Sequence, residues 1–530
     1  MTESRSVLRR IPRWVWLVAF LPGLIAQLSN IGAAVQASEP DKVFIGARHQ
    51  ARDFAVYMAT ARYYGESGDR GAPNLFVTEA QDGRMIMSYL WMVGQLAQGT
   101  GMDLVWAWRV MGLLSCWLFF VLVWVLARRL LPDKETGNMA FMMVCFSGGL
   151  GWILFGFNAG IWPSLDVDAK ALNEFWNWSS IGSAQIPMWC AGHALFVGAM
   201  LVFIDRKHDD YKPHPLRALF MAMLLVACFF VHPYTGLTAF LVLGLFSAWT
   251  LLAQRKNKDC LAVMAPVHAF VGLAMAGATV ASVMYWAGQD PVYAKTMEMS
   301  SLWRPGYEVI WWPLMYGVPF LLALYALRKR QGPVVLLGLW FCSILILSRL
   351  SIWPGVKFQF LVHLPMCLLA ALGLAAMKPS GWNRALKVGL FIVLFTATPI
   401  HLLRSIAQAQ DAPASYVPSA QLRLLNELDS LPPGAVMTSY QGGLWVPWKA
   451  GKPVFLGHWF MSYDFQGRSK AMFRFWSDDT AIEEKRKFIR AQGIRYLVVD
   501  PWTKEMGAVP EELGAIKRYD NPFGEIWVIP

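Results

Sequence analysis

Eleven long apolar runs, separated by short polar stretches, dominate the hydropathy pattern of this chain. They cover residues 14–33, 104–127, 138–160, 186–204, 217–232, 235–253, 261–287, 309–327, 333–348, 359–377 and 386–403. Most approach the roughly 20 residues an α-helix needs to cross a bilayer, so the pattern predicts about eleven transmembrane helices. The first run has no cleavage site behind it and reads as a retained span, not a signal peptide.

The polar stretches predict structure of their own. In residues 34–103, helical spacing of Phe54, Tyr57, Met58 and Ala61 predicts a helix over 50–64. Ile86, Tyr89, Leu90, Val93 and Ala97 predict a second over 84–98, of the kind that lies along a membrane surface. Beyond residue 403 the pattern changes to short strands and amphipathic helices. Helices are expected at 420–428 and 480–491, and strands at 435–439, 453–456, 496–500 and 525–529. The alternation predicts a small, largely parallel sheet in an accessory α/β domain over 404–530. No Gly-rich phosphate loop is present, so this domain does not read as nucleotide-binding.

Charge then orients the spans. The chain has 530 residues, 56% hydrophobic and 15% charged, with mean hydropathy +0.38. Six alternate connections carry twenty basic residues against seven acids, from Arg5, Arg9, Arg10 and Arg13 at the start to Lys378, Arg384 and Lys387 near the last span. The positive-inside rule makes these connections, and the N-terminus, cytoplasmic. Segments 34–103, 161–185, 288–308, 349–358 and 404–530 then lie outside, as expected for a bacterial inner-membrane protein with a periplasmic C-terminal domain. That surplus of thirteen accounts for the net charge of +12, so the charge reflects topology and calls for no nucleic-acid partner. Around His232-Pro233-Tyr234-Thr235-Gly236 one broken helix or two short spans fit, and two keep the charge alternation. The seven cysteines fall in or beside spans, which leaves the outer segments without disulfides or a cysteine zinc site.

The chemistry candidates sit in the outer segments and at outer helix ends. Asp53 has His49 at i−4 and Tyr57 at i+4, so one helix face carries all three. A carboxylate there can accept a proton from an acceptor hydroxyl, with His49 or Tyr57 orienting it or binding substrate. The competing reading is an acid stabilising a helix N-terminus. Asp166 and Asp168, two apart in a loop, can share a hard cation such as Mg²⁺ or Mn²⁺; such pairs are also common in turns. Arg109, His232, Arg304, Arg349, Lys357 and His363 lie at outer helix ends. Cations facing a membrane-level cavity pair with acids or bind an anion such as a phosphate, or else snorkel to the headgroups. His458 lies in the polar, aromatic run Gly457-His-Trp-Phe-Met-Ser-Tyr-Asp464, where it can touch an acceptor or serve an interface.

In plan the chain resembles GT-C class membrane glycosyltransferases: oligosaccharyltransferases, protein O-mannosyltransferases and lipid A aminoarabinose transferases. The residues that carry the resemblance are Arg52-Asp-Phe-Ala-Val-Tyr57 after the first span, Lys357-Phe-Gln-Phe360 opening a late span, and Gly457-His-Trp459 through Tyr496-Leu-Val-Val-Asp500. The resemblance implies inverting transfer of a sugar from a polyprenyl-phosphate-linked donor to a lipid, glycan or protein acceptor on the outer face. Asp53 would be the base, and the outer cations would hold the donor phosphate. Many members place two acids at the first-loop site, whereas Arg52 precedes Asp53 here, which favours a metal-independent reaction unless Asp166 and Asp168 supply ligands. A flippase of lipid-linked glycans and a non-catalytic assembly subunit are the rival functions. No internal repeat supports the first, and tolerance of Asp53→Asn would mark the second.

Overall fold

The computed structural model describes residues 11–36, 41–48, 50–150, 186–204, 215–253, 261, 263–301, 312–328, 332–350, 354–377, parts of 384–399, 415–507 and 510–530. These residues divide into two compact units. One comprises Met1–Ser29, Arg109–Ser282 and Trp303–Ala407, and the other Asn30–Trp108, Val283–Leu302 and Gln408–Pro530.

Apolar helices make up the first unit: most of α1 (Arg13–Gln36), then in the second unit's first segment β1 (Lys42–Phe44), α2 (Ala51–Ser67) and α3 (Ser88–Thr100), then α4 (Leu104–Leu130), whose larger part returns to the first. There follow α5 (Lys134–Phe146), α6 (Pro187–Phe203), α7 (Pro215–Val231), α8 (Pro233–Ala253) and α9 (Pro266–Gly288). Each of the last four opens on proline, whose missing N–H is no loss in a first turn. Four described helices, α1, α4, α8 and α9, are long and apolar enough to cross a membrane, and five further apolar helices are shorter. The chain breaks at His232 between α7 and α8. A Cβ on Gly236 would lie 2.6 Å from the Phe229 Cα, whereas residues seven apart in a continuous helix are separated by about 10 Å of rise. The chain therefore turns sharply here, and the two-helix expectation describes it.

After α10 (Pro291–Ser301), which belongs to the second unit, come α11 (Trp312–Ala326), α12 (Gly332–Leu347), α13 (Gly355–Gln359) and α14 (His363–Ala376). Small residues set their crossings. A Cβ on Gly373 of α14 would lie 2.3 Å from the Leu322 carbonyl oxygen of α11.

In the second unit, segments distant in sequence are interleaved. β1 pairs antiparallel with β2 (Tyr416–Pro418), Val43 opposite Val417. α2 and α3 meet almost backbone to backbone, because a Cβ on Gly94 would sit 2.2 Å from the Ala61 carbonyl oxygen. Then follow α15 (Ser419–Ser430), β3 (Ala435–Met437), α16 (Tyr440–Gly443), α17 (Val446–Ala450), α18 (Phe465–Trp476), α19 (Ile482–Gln492), β4 (Ile494–Val499), α20 (Pro501–Glu505), β5 (Ile516–Asp520) and β6 (Glu525–Val528). The sheet order is β3-β4-β6-β5. Met437, Phe455, Met472, Trp476, Leu497 and Trp527 are among the buried residues of its core.

The sheet corrects three expectations. Only β3–β4 is parallel; β4–β6 and β6–β5 are antiparallel. A tight hairpin joins β5 to β6: Gly524 N donates to Asn521 O (3.1 Å) and Asn521 N to Gly524 O (3.0 Å), and a turn this short joins only antiparallel strands; β6 lies between β5 and β4 and runs antiparallel to both. Residues 453–456 form a single parallel bridge, Val454 to Val436, in place of a strand. Val454 N instead donates to Leu75 O (2.9 Å) in the segment that follows α2. Asp500, expected as a strand residue, caps α20: Thr503 N donates to its Oδ1 (2.9 Å) and Ser439 Oγ to its Oδ2 (2.5 Å). Burial raises this carboxyl above the ordinary range, against the opposing hydrogen bonds from Ser439, Thr503 and Thr438.

Candidate functional site

Asp53 lies in the first turn of α2, where the helix dipole favours a negative charge. The helix begins at Ala51, and Gln50 before it is left-handed (φ 52°). His49 lies outside the described residues, so α2 carries Asp53 and Tyr57 of the predicted triad. Beneath Asp53 the helix is anchored by aromatics. Tyr57 stacks on Trp108 (centroids 5.6 Å, interplanar angle 18°), and Phe54 stands edge-on to Trp108 and Trp448.

The partner of Asp53 comes from 405 residues further along the chain. His458 Nε2 lies 3.2 Å from Asp53 Oδ1. The Asp53 side chain is 30% exposed and that of His458 only 3%. Both ring nitrogens of His458 are engaged. Phe460 N (3.3 Å) and Met461 N (3.2 Å) both donate to Nδ1. A backbone N–H can only donate, so Nδ1 is the acceptor, the imidazole proton sits on Nε2, and Nε2–H donates to Asp53. The pair is a neutral imidazole and a carboxylate.

The loop that presents His458 is built around Ser462. Its Oγ accepts from Gly457 N (3.1 Å) and His458 N (3.3 Å), and donates to Phe76 O (2.8 Å). Ser462 N donates back to His458 O (2.8 Å). Phe76 packs edge-on against the imidazole (5.9 Å). Gly457 lies flat on Gly443, where a Cβ would come within 2.4 Å of the Gly443 carbonyl oxygen. Buried Asn74 extends the lattice by donating to Met461 O (2.8 Å) and to Thr296 Oγ1 of α10 (3.1 Å).

Tyr440 and Arg52 complete the surroundings. The Arg52 guanidinium lies 5.8 Å from the centre of the Tyr440 ring. Burial, with a smaller contribution from the Asp53 charge, raises the Tyr440 phenol, against the pull of Arg52 and the Trp459 backbone. Trp459, next to His458, is 39% exposed. Tyr440, Trp108, Phe76, Ser462 and Asn74 were missed from the sequence; the Gly442-Gly443 pair and Gly457 were the available signals of close backbone approach.

A nearby ion pair holds the same segments together. Arg468 binds Glu79 through NH2 and donates through Nε to Tyr463 O (2.9 Å) and through NH1 to Phe455 O (3.1 Å). Burial works to raise Glu79, but the Arg468 charge and a hydrogen bond from Tyr463 prevail and hold it below the usual range. Tyr463 is pushed up to about 12 by burial and by Glu79.

The first unit brings together a different subset. Lys357 of α13 has its Nζ 5.8 Å from the Trp189 ring of α6, and the His232 ring lies 5.8 Å from the same indole. His232 Nδ1 is hydrogen-bonded to Thr235 Oγ1 (2.6 Å). Close packing places the imidazole there, since a Cβ on Gly192 would fall 2.7 Å from the His232 Cβ. His193, to which the sequence assigned no role, stacks 6.5 Å from His232. His363 is elsewhere engaged, its Nε2 3.5 Å from Cys367 Sγ. Arg109 is half-buried in α4 and Arg349 is exposed after α12. Arg304, Asp166 and Asp168 lie outside the described residues. Among the described residues no cluster of three or more His, Cys, Asp or Glu side chains is arranged to hold a metal.

No protein-family model matches the chain, and no curated protein sequence does. Solved structures do. The archaeal oligosaccharyltransferase AglB from Archaeoglobus fulgidus, in complex with an inhibitory peptide and a dolichol-phosphate, is similar over 97% of this chain and 74% of its own, at 11% identity and TM-score 0.55. ArnT from Cupriavidus metallidurans bound to undecaprenyl phosphate is similar over 97% and 98%, at 13% identity and TM-score 0.53. The arabinofuranosyltransferase AftD from Mycobacteria is similar over 97% of this chain and 40% of its own, at 14% identity and TM-score 0.52. The chain therefore has the fold of GT-C membrane glycosyltransferases.

Proposed function

We propose that this chain is a polytopic membrane glycosyltransferase that moves a sugar from a polyprenyl-phosphate-linked donor to a lipid, glycan or protein acceptor on the outer face of a bacterial inner membrane. The observation that carries this reading is the Asp53 carboxylate: partly exposed in the first turn of α2, and held through one oxygen by a buried, neutral histidine. The fold adds support, and so do the dolichol-phosphate and undecaprenyl phosphate bound in two of the similar structures.

The transfer is a single displacement. The acceptor oxygen attacks the anomeric carbon as its proton passes to Asp53, and the bond from that carbon to the phosphate oxygen breaks. The polyprenyl phosphate leaves with the electron pair, and one displacement inverts the anomeric centre. A positioned general base contributes about 10²–10⁴-fold to such a step. Lys357 and His232, beside the same indole, form the proposed phosphate-binding pair, and Arg109, Arg304 and Arg349 are the further cations proposed for donor binding; His363, turned to Cys367, is not among them. Acceptor binding or orientation of the base is the role proposed for Tyr57, and for His49 from its place in the sequence. A divalent cation, where one takes part, is assigned to Asp166 and Asp168, and no step is routed through it.

The test is transfer in membranes from a pool of sugar-labelled polyprenyl-phosphate donors, comparing wild type with Asp53→Asn. Loss of about 100-fold or more at normal expression is expected. Full retention removes Asp53 from the mechanism. No transfer by wild type with any donor favours a flippase or an assembly subunit.

A further inference from the structure

We propose that His458 is the positioning residue of this site: a histidine locked as its Nε2–H tautomer, which aims the Asp53 carboxylate and takes no proton itself. The inference rests on the reading of Asp53 as the base.

The lock is the pair of backbone donors on Nδ1. With Phe460 N and Met461 N both pointing at it, a proton on Nδ1 would set three N–H groups against one another in a nearly solvent-free place. The ring side chain is 3% exposed, so water cannot relieve that conflict. Nε2 already carries its hydrogen and spends it on Asp53 Oδ1. It has no lone pair with which to accept the proton that Asp53 collects. Asp53 must therefore keep that proton until it leaves to solvent or product, and the pair cannot act as a carboxylate–histidine relay.

Aim is the other half of the proposal. Asp53 stands on α2, and His458 stands on a loop whose Ser462 is tied to Phe76 and whose Met461 is tied through Asn74 to Thr296. The imidazole thus transmits the position of three separate segments to one carboxylate oxygen. A reacting group displaced by about 1 Å loses on the order of 10²-fold in rate, so one fixed hydrogen bond at the base can govern turnover without contributing to substrate affinity.

Two isosteres separate the roles. His458→Asn puts a polar atom near the place of Nδ1 and can still accept from Phe460 and Met461, but has nothing at Nε2. His458→Gln reaches the place of Nε2 with an amide N–H and can still donate to Asp53, but leaves the two backbone donors unanswered. With wild-type protein in membranes and labelled donor, we expect His458→Asn to lower kcat about 10- to 100-fold with donor and acceptor KM within about threefold. His458→Gln should retain kcat to within about fivefold while unfolding at lower temperature. The reverse pattern, with Asn active and Gln inactive, makes His458 a loop fastener and overturns the proposal. A change confined to KM makes it a substrate ligand and overturns it equally. The failure of the underlying reading looks different: if Asp53→Asn retains transfer, the base assignment falls whatever the His458 variants do. If Asp53→Asn is inactive and both His458 variants keep kcat, only the positioning role falls.

Discussion

Removal of one oxygen atom, in Ser462→Ala, should loosen the loop that presents His458. Ser462 is fully buried, and its Oγ makes three hydrogen bonds: two accepted from Gly457 N and His458 N and one donated to Phe76 O. A hydrogen bond contributes about 1 kcal/mol net, and a buried group left unsatisfied costs about 1–3 kcal/mol. The two accepted bonds are long, at 3.1 and 3.3 Å, so the lower figure suits them and the sum is about 3 kcal/mol. That energy acts on local opening, because the bonds close a short loop and do not support the apolar core. Native-state hydrogen exchange reads it directly at the amides of Gly457 and His458, where protection should fall about 100-fold. Transfer should fall with it, because His458 loses its fixed place. Ser430→Ala, which removes a surface hydroxyl bonded to Glu427 O, is the control and should change neither. Unchanged protection at 457 and 458, to within about threefold, would refute the energetic argument. Lost protection with unaltered turnover would sever the loop from catalysis.

Two other consequences can be measured. Glu79 is held below its ordinary range in the folded protein, so its contribution to stability is full above the unfolded value of about 4.3 and fades as pH falls through the folded one. The stability difference between wild type and Glu79→Gln, followed by thermal unfolding in detergent, should be present at neutral pH and vanish in acid; a difference that grows towards acid would contradict the assignment. Lys357→Ala should raise KM for the polyprenyl-phosphate donor about 10- to 100-fold with little change in kcat, as expected when a charge-assisted hydrogen bond worth about 1.5–3 kcal/mol is lost; an effect on kcat alone would place Lys357 outside donor binding.

Local patterns were legible where a helix or strand declares itself by periodicity. The helices at α2, α3 and α19 lie within a few residues of their expected bounds, and the break at His232 falls where the Pro233–Gly236 run placed it. The strands β3, β4 and β6 stand out because their apolar residues are short, contiguous runs bounded by turn residues. The turn between β5 and β6 is also written locally, in Asn521-Pro-Phe-Gly524, but the pairing of β6 with the distant β4 is not. α18 went unpredicted, since its buried face of Met472, Phe475 and Trp476 also carries the charged Arg468 one turn earlier.

The site was legible only in part. Asp53 is conspicuous as an acid beside a span, and Lys357 as a cation at the head of one. Their hydrogen-bonding and packing partners are not conspicuous at all. His458 had polar neighbours that suit many roles, and His193 was indistinguishable from a packed core histidine. What the sequence by itself determined is the membrane-embedded, helical character of the chain, because apolar length and basic flanks act through nearest neighbours and the bilayer. Only the tertiary structure decided that a histidine 405 residues away answers Asp53, and with which nitrogen. A hydrogen bond of that kind depends on two backbones brought together by glycines and one buried serine, and no local periodicity encodes a meeting between segments so far apart.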